Sequence, residues 1–228
     1  MSYPGGKNGH GVYQTIINQI PPHRVYIETH LGGGAILRKK RPAEVSIGLD
    51  ADPAVIEVWQ AHPERPPRLT LHHADAAAWL QAHPFRGDEF VYLDPPYLME
   101  TRKGGRLYAV EYTRAQHVEL LDVILALPAM VMISGYWSKL YAEALEDWRT
   151  LNFQAQTRQG TATEWLWMNY PEPVELHDYR YLGSDFRERE RLKRIKASWM
   201  KRLRKLSPLE RRMLFAAARD VAEEVNSS

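Results

Sequence analysis

The sequence predicts an α/β protein: an open, mostly parallel sheet with an antiparallel pair at one edge, followed by a C-terminal helical hairpin. Three observations carry this reading. Short β-rich runs alternate with helical ones from Val25 to Leu93, the pattern of parallel strands joined by crossover helices. Two further β-rich runs flank a Gln159-Gly160 turn, which suits antiparallel neighbours. Near the C-terminus, Leu192, Ile195, Trp199, Leu203 and Leu206 recur at helical spacing among lysines and arginines.

Taken in order, Val25–Glu28 reads as the first strand, followed by Gly32-Gly33-Gly34 and a short helix through Ala35, Ile36 and Leu37. Residues 45–49 form the second strand, which ends at Asp50. Asp52-Pro53 then supplies an N-cap and a first-turn proline for a helix through Val55, Ile56 and Trp59. Residues 69–71 are the third strand, ending near Asp75, and residues 76–82 the helix after it. Residues 90–93 are the fourth and run directly into Asp94-Pro95-Pro96-Tyr97. A polar loop covers residues 99–111. Thr113 and Gln116 form a capping box for a helix carrying Val118, Leu120, Leu121 and Ile124. Residues 129–133 are a fifth strand, 139–147 a helix, and 151–157 and 163–169 the edge pair. Ser207-Pro208-Leu209-Glu210 starts the last helix. The expected division is a catalytic domain over residues 1–176 and a basic helical extension over 177–228.

Composition narrows the function classes. The 228 residues include no cysteine, which excludes disulfides, zinc knuckles, iron–sulfur clusters and a thiol nucleophile, and fits a reducing compartment. The most apolar run, residues 123–134, is interrupted by Pro128 and falls short of the roughly 20 residues a membrane span needs. The N-terminus lacks an apolar leader core, so the expectation is a cytoplasmic protein without a membrane partner. The formal net charge of +2 conceals a split. Residues 1–185 carry a net −5, residues 186–212 a net +9 and the last sixteen a net −2.

The sharpest chemical signal is Asp94-Pro95-Pro96-Tyr97 at the carboxyl end of a strand, the edge at which open α/β sheets collect ligands. The prolines stiffen the turn and fix the directions of the Asp94 and Pro95 carbonyls. Gly32 and Gly34 allow backbone to approach a ligand without a Cβ clash. Their spacing is not that of a dinucleotide fingerprint. Asp50, at the end of the second strand, is placed to meet a ribose diol. No histidine cluster has metal-ligand spacing, and neither a serine–histidine–aspartate set nor a P-loop can be assembled.

Over residues 3–170 the chain resembles the amino-group DNA methyltransferases that use S-adenosylmethionine, most closely the Dam-like DNA adenine-N6 methylases. Five elements carry the resemblance in order: Tyr3-Pro4-Gly5-Gly6-Lys7, the loop Glu28-Thr29-His30-Leu31-Gly32-Gly33-Gly34, the acidic Asp50 and Asp75, the catalytic Asp94–Tyr97 motif, and the closing run Glu164-Trp165-Leu166-Trp167-Met168-Asn169-Tyr170. The resemblance implies a Rossmann-like methyltransferase sheet, S-adenosylmethionine as cofactor, and a target adenine flipped out of double-stranded DNA. It implies cofactor contacts from Tyr3, Lys7, Glu28, Gly32, Gly33, Gly34, Asp50 and Asp75, and catalysis by Asp94, Pro95 and Tyr97, with Tyr97 stacked on the base. Asp75 would accept the cofactor's adenine amine, with a helix N-cap as the close alternative, and Lys7 would meet the cofactor carboxylate or nucleic acid. The alternatives are an RNA base methyltransferase and a non-enzymatic nucleic-acid-binding module on a relict fold.

The chain departs from the family twice. His30 stands where an apolar or aromatic residue is usual, and a hydrogen-bonded, buried histidine is expected there. Asp75 and Asp94 are only 19 positions apart, leaving no room for the usual target-recognition insertion, so short or relaxed sequence specificity is expected. Two segments remain for contacting nucleic acid: the loop with Arg102, Lys103 and Arg106, and the basic helix with Lys193, Arg194, Lys201 and Arg204. The apolar stripe of that helix offers a seam for self-association. Trp165 and Trp167 alternate at strand period and are expected to pack on one face.

Overall fold

The computed structural model describes residues 6–63, 65–102, 105, 108–157 and 160–226, with backbone alone at 157, 225 and 226. It divides into two compact units, residues 1–181 and 182–228.

The first unit is built on one seven-stranded sheet. Its strands are β1 (Val25–Glu28), β2 (Val45–Asp50), β3 (Leu69–His73), β4 (Glu89–Leu93), β5 (Met130–Gly135), β6 (Arg149–Thr157) and β7 (Gly160–Met168), in the order β3-β2-β1-β4-β5-β7-β6. β1 to β5 are mutually parallel, and β7 runs antiparallel between β5 and β6. This is the Rossmann-like sheet with an antiparallel edge that the sequence predicts. The central strands read as continuous apolar runs because both faces are covered. Alternate residues supply two cores: Tyr26, Phe90, Tyr92 and Met132 pack on one face, and Ile27, Val91, Leu93, Val131 and Ile133 on the other.

Strand order reverses between β1 and β4, with β2 and β3 on one side and β5 on the other. That reversal opens a crevice at the carboxyl ends of β1 and β4, where Glu28 pairs in register with Tyr92. The crossover helices start where their caps predict. Asp52 accepts from Ala54 N ahead of α3 (Pro53–Gln60), and Asp75 accepts from Ala78 N ahead of α4 (Ala76–Ala82). Thr113 and Gln116 close a capping box on α5 (Arg114–Leu125).

Three features differ from the sequence expectation. A helix over Val12–Ile17, here α1, precedes β1 and buries Val12, Ile16 and Ile17; its six residues are too few to display a period. α2 (Ala35–Lys39) is as short as expected, whereas α6 (Lys139–Ala144) stops three residues before the expected end. β6 starts at Arg149 rather than residue 151 and β7 at Gly160 rather than residue 163, because ladder pairing includes Arg149 with Met168 and runs back to Gly160 through polar pairs such as Gln154 with Thr163.

Residues 177–181 belong to the first unit. His177 donates its amide to Ile20 O at 2.9 Å, Asp178 accepts from Arg41 N at 2.8 Å, and Arg180 donates to Lys39 O at 2.7 Å. The second unit holds α7 (Phe186–Arg204) and α8 (Pro208–Asn226). The C-terminal extension is helical as expected. Its two helices, however, do not lie side by side, so among the described residues the Leu192, Ile195, Trp199 and Leu203 stripe finds no seam within the unit. Among the described residues no helix is long and apolar enough to cross a membrane.

Candidate active site

The crevice at the reversal point is a pocket whose lining includes Lys7, Glu28, Gly32–Gly34, Asp50, Asp94 and Tyr112. Its floor is the loop after β1. Gly32 and Gly34 adopt left-handed backbone, with φ of 42° and 53°, and so turn the chain sharply under the site. Trp59 of α3 lies beneath and donates Nε1–H to Gly32 O at 2.9 Å. Asp50 closes the turn from β2: Oδ2 accepts from Gly32 N at 2.9 Å and Oδ1 from Asp52 N at 2.9 Å. Burial raises the Asp50 pKa, although these amide bonds oppose the shift.

Glu28 is buried at the end of β1, accepting from Tyr26 OH at 2.7 Å and from Leu37 N at 3.0 Å. Burial pushes its pKa up to about 8, and the charge of Asp94 adds to that effect. Half-buried His30 shares Nε2–Tyr112 OH at 3.0 Å and Nδ1–Thr29 Oγ1 at 2.8 Å. Burial holds it neutral, with a pKa lowered to about 3, which is the hydrogen-bonded histidine the sequence predicts.

Across the crevice, Asp94 follows β4 and is joined by groups distant in sequence. Lys7 Nζ donates to Asp94 Oδ1 at 2.8 Å and to Tyr97 OH at 2.6 Å. Ser134 of β5 donates to the same Asp94 oxygen at 2.8 Å. Tyr97 OH lies 2.7 Å from Glu164 Oε2 of β7 and 3.2 Å from Asp94 Oδ1. Among the described residues the hydrogen bonds to Asp94 all end on Oδ1, so Oδ2 remains for a ligand. Burial lowers the Lys7 pKa, but the adjacent Asp94 and Glu164 outweigh it and hold the amine above its ordinary value. Burial keeps the Tyr97 hydroxyl protonated.

The two sides of the pocket therefore differ in character. Glu28, Asp50 and Asp52 line one end with carboxyl groups beside open glycine backbone, acceptors suited to a ligand carrying ammonium and hydroxyl groups. At the other end, Asp94 has one engaged oxygen and one that is unengaged among the described residues, the arrangement needed to accept a hydrogen bond from an amine.

The remaining sequence-predicted residues are distributed more widely. Asp75 caps α4 at 3.0 Å from Ala78 N and is absent from the pocket lining. Tyr97 packs edge-to-face on Tyr136 with centroids 4.6 Å apart. Arg102 forms a two-pronged pair with Glu111 and lies over the Tyr108 ring, so its guanidinium braces the loop. Tyr3, Lys103 and Arg106 lie outside the described residues. Trp165 and Trp167 stack together with centroids 5.9 Å apart, as strand alternation predicts. Ser134, Tyr112 and the carboxylate of Glu164 enter the site without a sequence signal of their own. In the sequence Glu164 is marked only as the single charged residue in the β-rich run of the closing motif.

Comparison with known proteins yields structural likeness only. No family model matches the chain, and no curated protein matches it. Among solved structures, the precorrin 8w decarboxylase of Methanobacterium thermoautotrophicum superposes with a TM-score of 0.50 at 14% identity, over 74% of this chain and 94% of that one. The N-methyltransferase NodS of Bradyrhizobium japonicum gives 0.50 at 12% identity, over 71% and 95%. The 23S rRNA methyltransferase ErmE gives 0.43 at 14%, over 73% and 68%. With its strand order, antiparallel edge and crevice at the strand reversal, the first unit has the fold of the S-adenosylmethionine-dependent methyltransferases.

Proposed function

We propose that the chain transfers a methyl group from S-adenosylmethionine to the N6 amine of an adenine in DNA. The observation that carries the reading is the placement of Asp94 beside the glycine-floored pocket, with Oδ1 held by Lys7 and Ser134 and Oδ2 available. Glu28, Asp50 and the backbone of residues 32–34 would hold the cofactor, their carboxyl oxygens accepting hydrogen bonds from its ammonium and ribose hydroxyls. When bound, the cofactor supplies an electrophilic methyl group.

The chain's own contribution is to shape the nucleophile. An exocyclic adenine amine is weakly nucleophilic because its lone pair is delocalised into the ring. Asp94 Oδ2 and the Pro95 carbonyl would accept hydrogen bonds from its two N–H groups and draw the nitrogen toward tetrahedral geometry, which frees the lone pair for a near-attack arrangement at about 3–3.5 Å. The surplus proton, acidic once the methyl has transferred, then leaves to Asp94 or water. The base must leave a duplex to reach this depth, and Tyr97, Tyr108 and Tyr136 supply aromatic surface there. The basic α7 would neutralise phosphates without reading sequence.

RNA is the second reading. Among the described residues the methyltransferase unit carries no insertion between β3 and β4 that would read duplex sequence, and an unpaired RNA base requires no flipping. Labelled cofactor incubated in parallel with duplex DNA and with rRNA separates the two. N6-methyladenine in DNA is expected; transfer to rRNA alone overturns the DNA reading. Asp94→Ala should abolish transfer, with cofactor affinity by calorimetry changed less than about tenfold. Retained transfer would remove Asp94 from catalysis.

A further inference from the structure

Glu164 lies on β7, an antiparallel strand that the cofactor pocket does not touch, yet its side chain is only 5% exposed and points into the catalytic cluster. Its Oε2 lies 2.7 Å from Tyr97 OH. A tyrosine hydroxyl has one hydrogen to donate, and with Glu164 taking it, the oxygen lone pair accepts from Lys7 at 2.6 Å. Lys7 in turn reaches Asp94 Oδ1 at 2.8 Å. The chain Glu164–Tyr97–Lys7–Asp94 therefore has a direction, set at the Glu164 end.

We propose that Glu164 is a positioning residue for methyl transfer to the amine, holding Tyr97 and Lys7 so that one oxygen of Asp94 is engaged and the other is presented to the substrate. The inference rests on the methyl-transfer reading above and adds a second function for the same carboxylate. With Lys7 charged, Asp94 alone would leave the cluster neutral; ionised Glu164 makes it net negative. A net negative cluster favours the positive charge that develops on the attacking nitrogen, and preorganised charge in a water-poor site acts strongly.

The groups facing Glu164 are Lys7 from the N-terminal segment, Tyr92 and Asp94 from β4 and its end, Tyr97 from the turn, Tyr108 from the following loop and Tyr136 beyond β5. Burial raises the Glu164 pKa above the usual carboxylate range, and Asp94 adds to that rise, whereas Lys7 and the Tyr97 bond oppose it. Transfer should accordingly fall on the acid side as Glu164 takes up a proton.

The test compares wild type, Glu164→Gln and Glu164→Asp by single-turnover methyl transfer to DNA and to RNA across pH, with cofactor and nucleic-acid affinities measured separately. Glutamine preserves the acceptor for Tyr97 but cannot ionise. Its transfer rate is expected to drop about 10²-fold at neutral pH, with both affinities within about threefold, and its acid limb is expected to vanish. Aspartate should keep the limb and recover part of the rate. A glutamine variant with wild-type rate and limb overturns the inference, as does a loss confined to affinity. If circular dichroism shows that neither variant folds, Glu164 is structural and the inference also fails. The wild-type rate reports on the underlying reading independently: no transfer to either nucleic acid removes both.

Discussion

Glu28 illustrates how a single side chain links the pocket to stability. It is buried with a pKa pushed up to about 8 from 4.5, while nearby Lys40 sits 3.9 Å over the Tyr26 ring with its pKa lowered by burial to about 7. Because the folded Glu28 pKa is raised, the folded state holds a proton that the unfolded state releases. Its favourable contribution is complete below about pH 4.5 and is lost as pH rises to about 8. Glu28→Gln removes this dependence. Urea midpoints at pH 5, 6.5 and 8 should show the glutamine variant gaining on wild type by about 1.4 kcal/mol per pH unit within the window. A constant difference would mean that Glu28 remains ionised throughout.

Among elements, the glycine loop makes the strictest demands. A Cβ built on Gly34 would lie 2.1 Å from Trp59 Cζ2, and that indole is buried and tied to Gly32 O, so it has little freedom to yield. Gly34 also needs left-handed backbone. Gly34→Ala should destabilise the protein by about 2–4 kcal/mol, combining overpacking with left-handed strain, and should weaken cofactor binding. Gly87 is a control: its φ is 90° but a Cβ there meets nothing within 4 Å, so Gly87→Ala should cost only about 1 kcal/mol. Equal losses in denaturant midpoint would argue against the Trp59 contact. The strands and capped helices of this unit were legible because each rests on a short β-rich apolar run or on a cap bond spanning two or three residues. α1 was not, since a single short turn of helix displays no period.

At the scale of the whole molecule, charge is divided between an acidic first unit and α7 with its basic flanks. If α7 meets phosphates, replacing Lys193, Arg194, Lys201 and Arg204 with glutamine should flatten the log–log salt dependence of DNA binding by about 0.9 for each phosphate no longer neutralised. Transfer by saturated enzyme should be preserved. An unchanged slope in salt-titrated binding would remove α7 from the interface. Only 19 positions separate Asp75 from Asp94, so N6-methyladenine mapped on a random duplex library should show a short or relaxed consensus. A long, stringent one would reveal a reader elsewhere in the chain.

Local sequence was enough to specify the alternating strands and helices, the caps, the Asp94 turn at a strand end and the segregation of charge. Each is encoded by neighbours a few residues apart. Which distant groups share the site was settled only by the folded chain. It set Lys7 against Asp94, 87 positions away, and Glu164 against Tyr97, 67 positions away. It also separated Asp50, which ties down the glycine loop, from Asp75, which caps a helix. The physical reason lies in strand order: placing β4 beside β1 and β7 beside β5 brings remote carboxylates, an amine and a hydroxyl into one buried cluster, and local periodicity carries no information about that order.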